Sequence, residues 1–121
     1  MSKADVISIF FPEPVPYAAA ARLQEEILRA RIADDVPDLL LQMQHNPVVT
    51  LGRRRRDEHL YRSPAFLREV GIDFHVAPRG GDVTYHAPGQ IVLYPILRLD
   101  PSRIGSHGYL GQLEDVAIQT A

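Results

Sequence analysis

The chain contains no cysteine, and its single lysine is Lys3. The missing cysteine removes disulfides, thiolate metal sites and any thiol nucleophile together. An excess of positive charge is also lacking: 13 Lys and Arg against 15 Asp and Glu leave a formal charge of −2. A nucleic-acid binder held by phosphate contacts normally carries a basic excess, so that class of partner is disfavoured. No apolar run is long enough to span a bilayer, so no membrane association is expected. The amino terminus, Met1-Ser2-Lys3-Ala4-Asp5, lacks the apolar stretch of a signal peptide, and a cytoplasmic location is the expectation. No G-x-S-x-G supports serine hydrolase chemistry, and no Gly-Lys-Ser/Thr supports a P-loop. His45, His59, His75 and His107 fall at no metal-ligand spacing. Neither a metal nor a cofactor is expected.

What is present reads as one domain. A length of 121 residues, 45% hydrophobic and 23% charged, is enough to bury a core and ordinary for a globular protein. Val6 to Phe11 is a short β-rich run closed by a loop with Pro12, Pro14 and Pro16. From Tyr17, Ala20, Leu23, Ile27 and Ala30 recur at spacings of three and four, which puts them on one helical face. Glu25 and Arg29 are i,i+4 partners on the wetter side. Leu39 to Met43 reads as a buried strand, His45-Asn46-Pro47 as a turn, and Val48 to Leu51 as a second strand ending at Gly52.

Ser63 and Pro64 suit the cap and first position of a short helix, with Gly71 beyond its end and Ile72 to Val76 returning to strand. Val83 to His86 and Ile91 to Leu99 are expected to pair as a hairpin around Ala87-Pro88-Gly89-Gln90. There Pro88 and Gly89 match the two central positions of a type II turn. Tyr109 to Ala121 is helical again, with Leu113, Val116, Ala117 and Thr120 on one side, and Gly105, Gly108 and Gly111 read as loop and helix-start residues. That apolar side runs to Ala121 with no terminating Gly or Pro. It suggests a fold cut short, a frayed native terminus being the alternative. Helices dispersed among more numerous strands point to a mixed α/β domain.

The densest chemistry lies in Arg79-Gly80-Gly81-Asp82-Val83-Thr84-Tyr85-His86-Ala87-Pro88-Gly89-Gln90. Gly80-Gly81 follows a strand, where backbone amides can meet a ligand oxygen; a bulge or tight turn that simply needs glycine is the commoner reason for a bare Gly-Gly pair. His86, four residues before Gln90, suits orientation of a carbonyl or proton transfer. Arg53-Arg54-Arg55-Arg56 is a positive patch followed by Asp57 and Glu58. It reads either as a solvated, locally neutralised loop or as a docking edge for an acidic partner.

The same twelve residues resemble the signature of the octanoyl-[acyl carrier protein]:protein octanoyltransferases, with Ala87 where that family usually has Gly. Gln44-His45-Asn46-Pro47-Val48-Val49-Thr50-Leu51-Gly52-Arg53 is similar to the family's strand pair, and Glu58-His59-Leu60 and Leu113-Glu114 extend the likeness over residues 6–121. The resemblance implies the biotin/lipoate ligase-like fold, a mixed sheet flanked by helices, incomplete in this chain and forming the amino-terminal part of one catalytic domain. It implies transfer of an octanoyl group from acyl carrier protein, without ATP, to a lysine of lipoyl domains. The acceptors would be the lipoyl domains of 2-oxoacid dehydrogenases and the H protein of glycine cleavage.

In the family the acyl group passes through a cysteine thioester beside a lysine. Both come from segments after those matched here, so this chain is expected to hold no catalytic residue and to be inactive alone. Arg79, Gly80, Gly81, Asp82, Val83, Thr84, Tyr85 and His86 would line the octanoyl tunnel, supported by Pro88, Gly89 and Gln90, with Arg53 near the entrance. A non-catalytic relative that binds acyl groups or carrier protein is one alternative, and an ATP-dependent lipoate or biotin ligase is another. The ligases carry a longer glycine run followed by His-Asp, whereas His86 here precedes Ala87-Pro88-Gly89-Gln90.

Overall fold

The computed structural model describes residues 5–54 and 59–121. Lys3 and the Arg55, Arg56, Asp57 and Glu58 part of the charged run lie outside them. Strand β1 (Val6–Phe10) lies parallel to β2 (Asp38–Met43), and β6 (Val92–Ile96) runs antiparallel along the other edge of β2. The period-two geometry of β2 sends Leu39, Leu41 and Met43 to one face, where they are 7%, 0% and 1% exposed. Helix α1 (Tyr17–Ile32) forms the crossover between β1 and β2 and covers that face. Ala20 is buried against Leu41 and Met43, with Leu23 and Ile27 packed around them, as the helical spacing requires. The Glu25–Arg29 pair forms at 3.0 Å on the exposed side, where it contributes little.

A second sheet has the order β4-β3-β5, built from β3 (Val48–Leu51), β4 (Asp73–Val76) and β5 (Val83–His86). β3 is central and buried along its whole length, with β4 parallel and β5 antiparallel to it. Between β3 and β4 sits the short helix α2 (Pro64–Glu69), started as expected. The Phe66 N–H donates to the Ser63 hydroxyl at 3.1 Å and Pro64 fills the first turn. Gly71, at φ +81°, ends it in a Schellman motif. Its N–H donates to the Arg68 carbonyl and that of Ile72 to the Leu67 carbonyl, at 3.1 and 2.8 Å.

The hairpin expected from residues 83–99 does not form. β5 pairs with β3 and β6 pairs with β2, so the two arms belong to different sheets. The turn between them is nevertheless type II: Gly89 has φ +98° and the Gln90 N–H donates to the Ala87 carbonyl at 3.1 Å. The reason lies in β2 and β3, which are consecutive and joined through residues 44–47. Each offers an open edge to one arm, and the Gly89 N–H donates to the Gln44 side-chain oxygen at 2.7 Å, fastening the turn to that connection.

Helix α3 (Ser106–Thr120) begins before Tyr109 and takes Gly108 and Gly111 inside it. Leu113, Val116, Ala117 and Thr120 do share a side. They face Leu40 and Leu93 of the first sheet across an apolar trough of about 600 Å³. No helix among the described residues is long and apolar enough to cross a membrane. The architecture is mixed α/β, with two mixed sheets flanked by helices.

Candidate functional site

Arg79 and its two glycines fold back onto the end of β3. The Gly52 N–H donates to the Asp82 carbonyl at 2.7 Å, that of Arg53 to the Arg79 carbonyl at 2.8 Å, and that of Arg54 to the Gly81 carbonyl at 3.1 Å. The Arg79 guanidinium crosses underneath. It donates to the Thr50 hydroxyl at 2.6 Å, and to the carbonyls of Gly80, Thr50 and Asp82 at 2.8, 2.9 and 3.2 Å. Its donors are thus turned inward, and Arg79 is a pin for the loop. Gly52 is the residue that the close approach requires: a Cβ there would stand 2.4 Å from the Gly81 carbonyl oxygen and 2.7 Å from that of Gly80. Gly81 has φ +86°, which favours glycine, while a Cβ on Gly80 would meet open space. Asp82 is bonded by the His59 imidazole, which draws the residue after the charged run onto this loop.

Alternation along β5 then divides the motif. Thr84 stands beside Thr50 and His86 beside Val48, while Val83 and Tyr85 point to the other side, beside Leu51 and Val49. The proposed wall of Arg79, Gly80, Gly81, Asp82, Val83, Thr84, Tyr85 and His86 therefore does not present one continuous surface, and Tyr85 is 51% exposed.

The side that holds Thr84 and His86 meets an aromatic cluster absent from the expected site. Tyr17 at the start of α1 lies 5.4 Å, centroid to centroid, from His45 and 5.3 Å from His75 on β4. His45 in turn lies 5.8 Å from both His86 and Tyr94. His45 is completely buried, and both its nitrogens are bonded: Nδ1 to the Val15 carbonyl at 2.9 Å and Nε2 to the Tyr94 hydroxyl at 2.6 Å. A carbonyl can only accept, so Nδ1 carries the proton and Nε2 accepts from Tyr94. Burial, with the neighbouring His86 adding to it, pushes the His45 imidazole below its ordinary range despite the Val15 bond; the ring is held neutral. Burial also pushes Tyr94 up to about 12 and raises Tyr17, so both phenols stay protonated donors.

His86 donates from Nδ1 to the Gln90 side-chain oxygen at 2.5 Å, across the Pro88-Gly89 turn that brings the two together. In that tautomer Nε2 carries the lone pair and can accept a hydrogen bond from a ligand. The arrangement offers one oriented imidazole and the neutral Tyr17 phenol, beside a glycine loop held in place by its own hydrogen bonds. Among the described residues no group of three or more His, Cys, Asp or Glu is placed to hold a metal.

His45 was legible in the phase of its strand. Leu39, Leu41, Met43 and His45 alternate into the core, so position 45 continues the buried side of β2 past its end. A histidine there is an inward residue, whatever its spacing from other histidines. Tyr94 carries a similar signal, being paired with Leu41 on the same phase of β6.

Residues 16–121 match the family model described as the lipoyl protein ligase A/B catalytic domain. An octanoyltransferase of Rubrobacter xylanophilus is 44% identical over 109 residues, 89% of this chain and 48% of that protein. A mitochondrial octanoyltransferase of Arabidopsis thaliana is 40% identical over 107 residues, 88% of this chain and 46% of the relative. An octanoyltransferase of Caldicellulosiruptor saccharolyticus is 40% identical over 93% of the chain and 48% of its own length. The chain spans about half the length of the curated relatives it matches. With the match covering every element after β1 and the pinned glycine loop, the chain belongs to the lipoyl protein ligase A/B catalytic domain family.

Proposed function

We propose that this chain carries the acyl-binding part of an octanoyltransferase that moves an octanoyl group from acyl carrier protein to a lysine of lipoyl domains. The observation that carries the reading is the identity of 40–44% to proteins named octanoyltransferase across nearly the whole chain. The pinned loop and the His86 face support it. Gly80 leaves room for an apolar chain to approach backbone, and His86 Nε2 stands ready to accept from an amide N–H of the carrier's pantetheine arm.

Transfer through a thioester needs a thiol to attack the donor, releasing the carrier's pantetheine thiol, and then a lysine amine to attack the new thioester and form the amide. No cysteine in this sequence supplies that thiol, and the attacking amine belongs to the acceptor domain. The role assigned to this chain is therefore binding and orientation. Arg53 and Arg54, exposed beside the glycine loop, give an acidic carrier protein a place to dock. A cytoplasmic location stays part of the proposal, alongside an Arabidopsis relative whose name places it in mitochondria.

The test is octanoyl transfer from octanoyl-acyl carrier protein to a lipoyl domain, read by mass spectrometry. The chain alone is expected to give none. Joined to the second half of the Rubrobacter relative, it is expected to octanoylate the acceptor lysine, and failure of that protein sinks the reading. A binding-only relative predicts carrier-protein binding with no transfer even in the joined protein. Adenylate formation from free octanoate and ATP would move the assignment to a ligase.

A further inference from the structure

We infer that His45 is a positioning residue of the acyl-binding site, an imidazole that ties the chain before α1 to β6 and sets the place of His86. The inference rests on the proposed reading of the His86 face as part of the acyl site. His45 sits where four segments converge. Its backbone bridges Val15, its Nδ1 donates to the Val15 carbonyl, its Nε2 receives the Tyr94 hydroxyl, and its ring packs edge-on against His86 of β5. The groups facing it are Tyr17 from α1, His86 from β5 and Tyr94 from β6, with His75 of β4 behind Tyr17.

This position demands a donor on one side and an acceptor on the other. Only one imidazole tautomer, or a carboxamide, meets both at once; an apolar side chain of the same size would leave the Val15 carbonyl and the Tyr94 hydroxyl without that partner. His86 has its own Nδ1 bond to Gln90, which fixes its tautomer, but its ring meets His45 on the inner side. Gln90 thus selects which His86 nitrogen is free, and His45 sets where the ring lies. The two rings meet edge-on at 5.8 Å with His45 out of reach of solvent, so a shift of His45 is expected to displace His86.

The experiment uses the chain itself with S-octanoyl-pantetheine as probe, calorimetry for binding and long-range ¹H–¹⁵N spectra for the histidines. Wild-type His45 is expected as the Nδ1-protonated tautomer. His45→Phe is expected to weaken probe binding tenfold or more and to shift the His86 resonances. His45→Gln should recover binding to within threefold, and Tyr94→Phe, which removes one oxygen, should reproduce part of the loss. If His45→Phe fails to fold, His45→Gln and Tyr94→Phe carry the test.

Equal binding by wild type, His45→Phe and Tyr94→Phe would overturn the inference, as would an Nε2-protonated His45. Absence of binding by the wild type would instead count against the acyl-site reading. The tautomer and the response of His86 to His45→Gln would then still decide the positioning role.

Discussion

The two ends of the molecule differ in how tightly they are closed. At the end of β3, backbone meets backbone so closely that Gly52 has no space for a single methyl group. Under α3, by contrast, a trough of about 600 Å³ separates apolar side chains that face each other. Leu93 on its floor is 48% exposed and Val116 on its wall 55%, although both are as apolar as fully buried Leu41. Apolar character alone does not decide burial; a covering element at the right distance does. The site end is organised by hydrogen bonds that satisfy one another, whereas the α3 end presents a surface that still has water to lose.

The sharpest way to break this contrast is Gly52→Ala. The added Cβ collides with two carbonyl oxygens that are themselves bonded, so backbone has to move. The expected loss is about 3 kcal/mol, at the upper end of overpacking costs, read by urea denaturation. Cooperative unfolding at the wild-type midpoint would show that the loop tolerates displacement and that its closeness is not structural. Arg79→Met comes next. It keeps most of the aliphatic stem and removes donors to Thr50, Gly80 and Asp82, with an expected cost of about 2 kcal/mol. It should also release the amide protons of Gly52 and Arg54 to faster hydrogen exchange, because the loop they bond to loses its pin.

A smaller effect comes with pH. The native His45 imidazole titrates below its unfolded value, so the unfolded chain binds a proton that the native one resists. The contribution of His45 is therefore present above about pH 6.5, the ordinary imidazole value, and is lost as pH falls from there toward the lowered native value. His45→Gln should flatten that part of the stability curve. A wild-type chain whose stability is unchanged between pH 7.5 and about pH 5.5 would mean that the ring does not stay neutral.

These same features separate what sequence made legible from what it did not. Individual elements were readable because their signals are local: helical spacing from Ala20 to Ile27, the Ser63-Pro64 start, the Pro88-Gly89 turn. Pairing was not. A type II turn between two β-rich runs normally signals a hairpin, but the choice of partner was made by the open edges of β2 and β3, far away in sequence. The motif around Arg79 was readable as a unit, yet the inward use of its guanidinium depends on Thr50, 29 residues earlier. For His45 the spacing to other histidines carries nothing, whereas the period of β2 places it inward.

Val116→Ser is expected to have the smallest effect and probes the open end of the comparison. Val116 is more than half exposed, and its side chain faces the trough rather than a packed neighbour, so little apolar area returns to water when it is replaced. Helix propensity changes little between Val and Ser. The expected change in stability is within about 0.5 kcal/mol, the range of ordinary surface substitutions. Self-association measured by sedimentation should fall, since the trough loses apolar surface without losing a buried contact. A loss of 2 kcal/mol or more would mean that α3 closes onto Leu40 and Leu93 in solution, and the two ends of the molecule would then be packed alike.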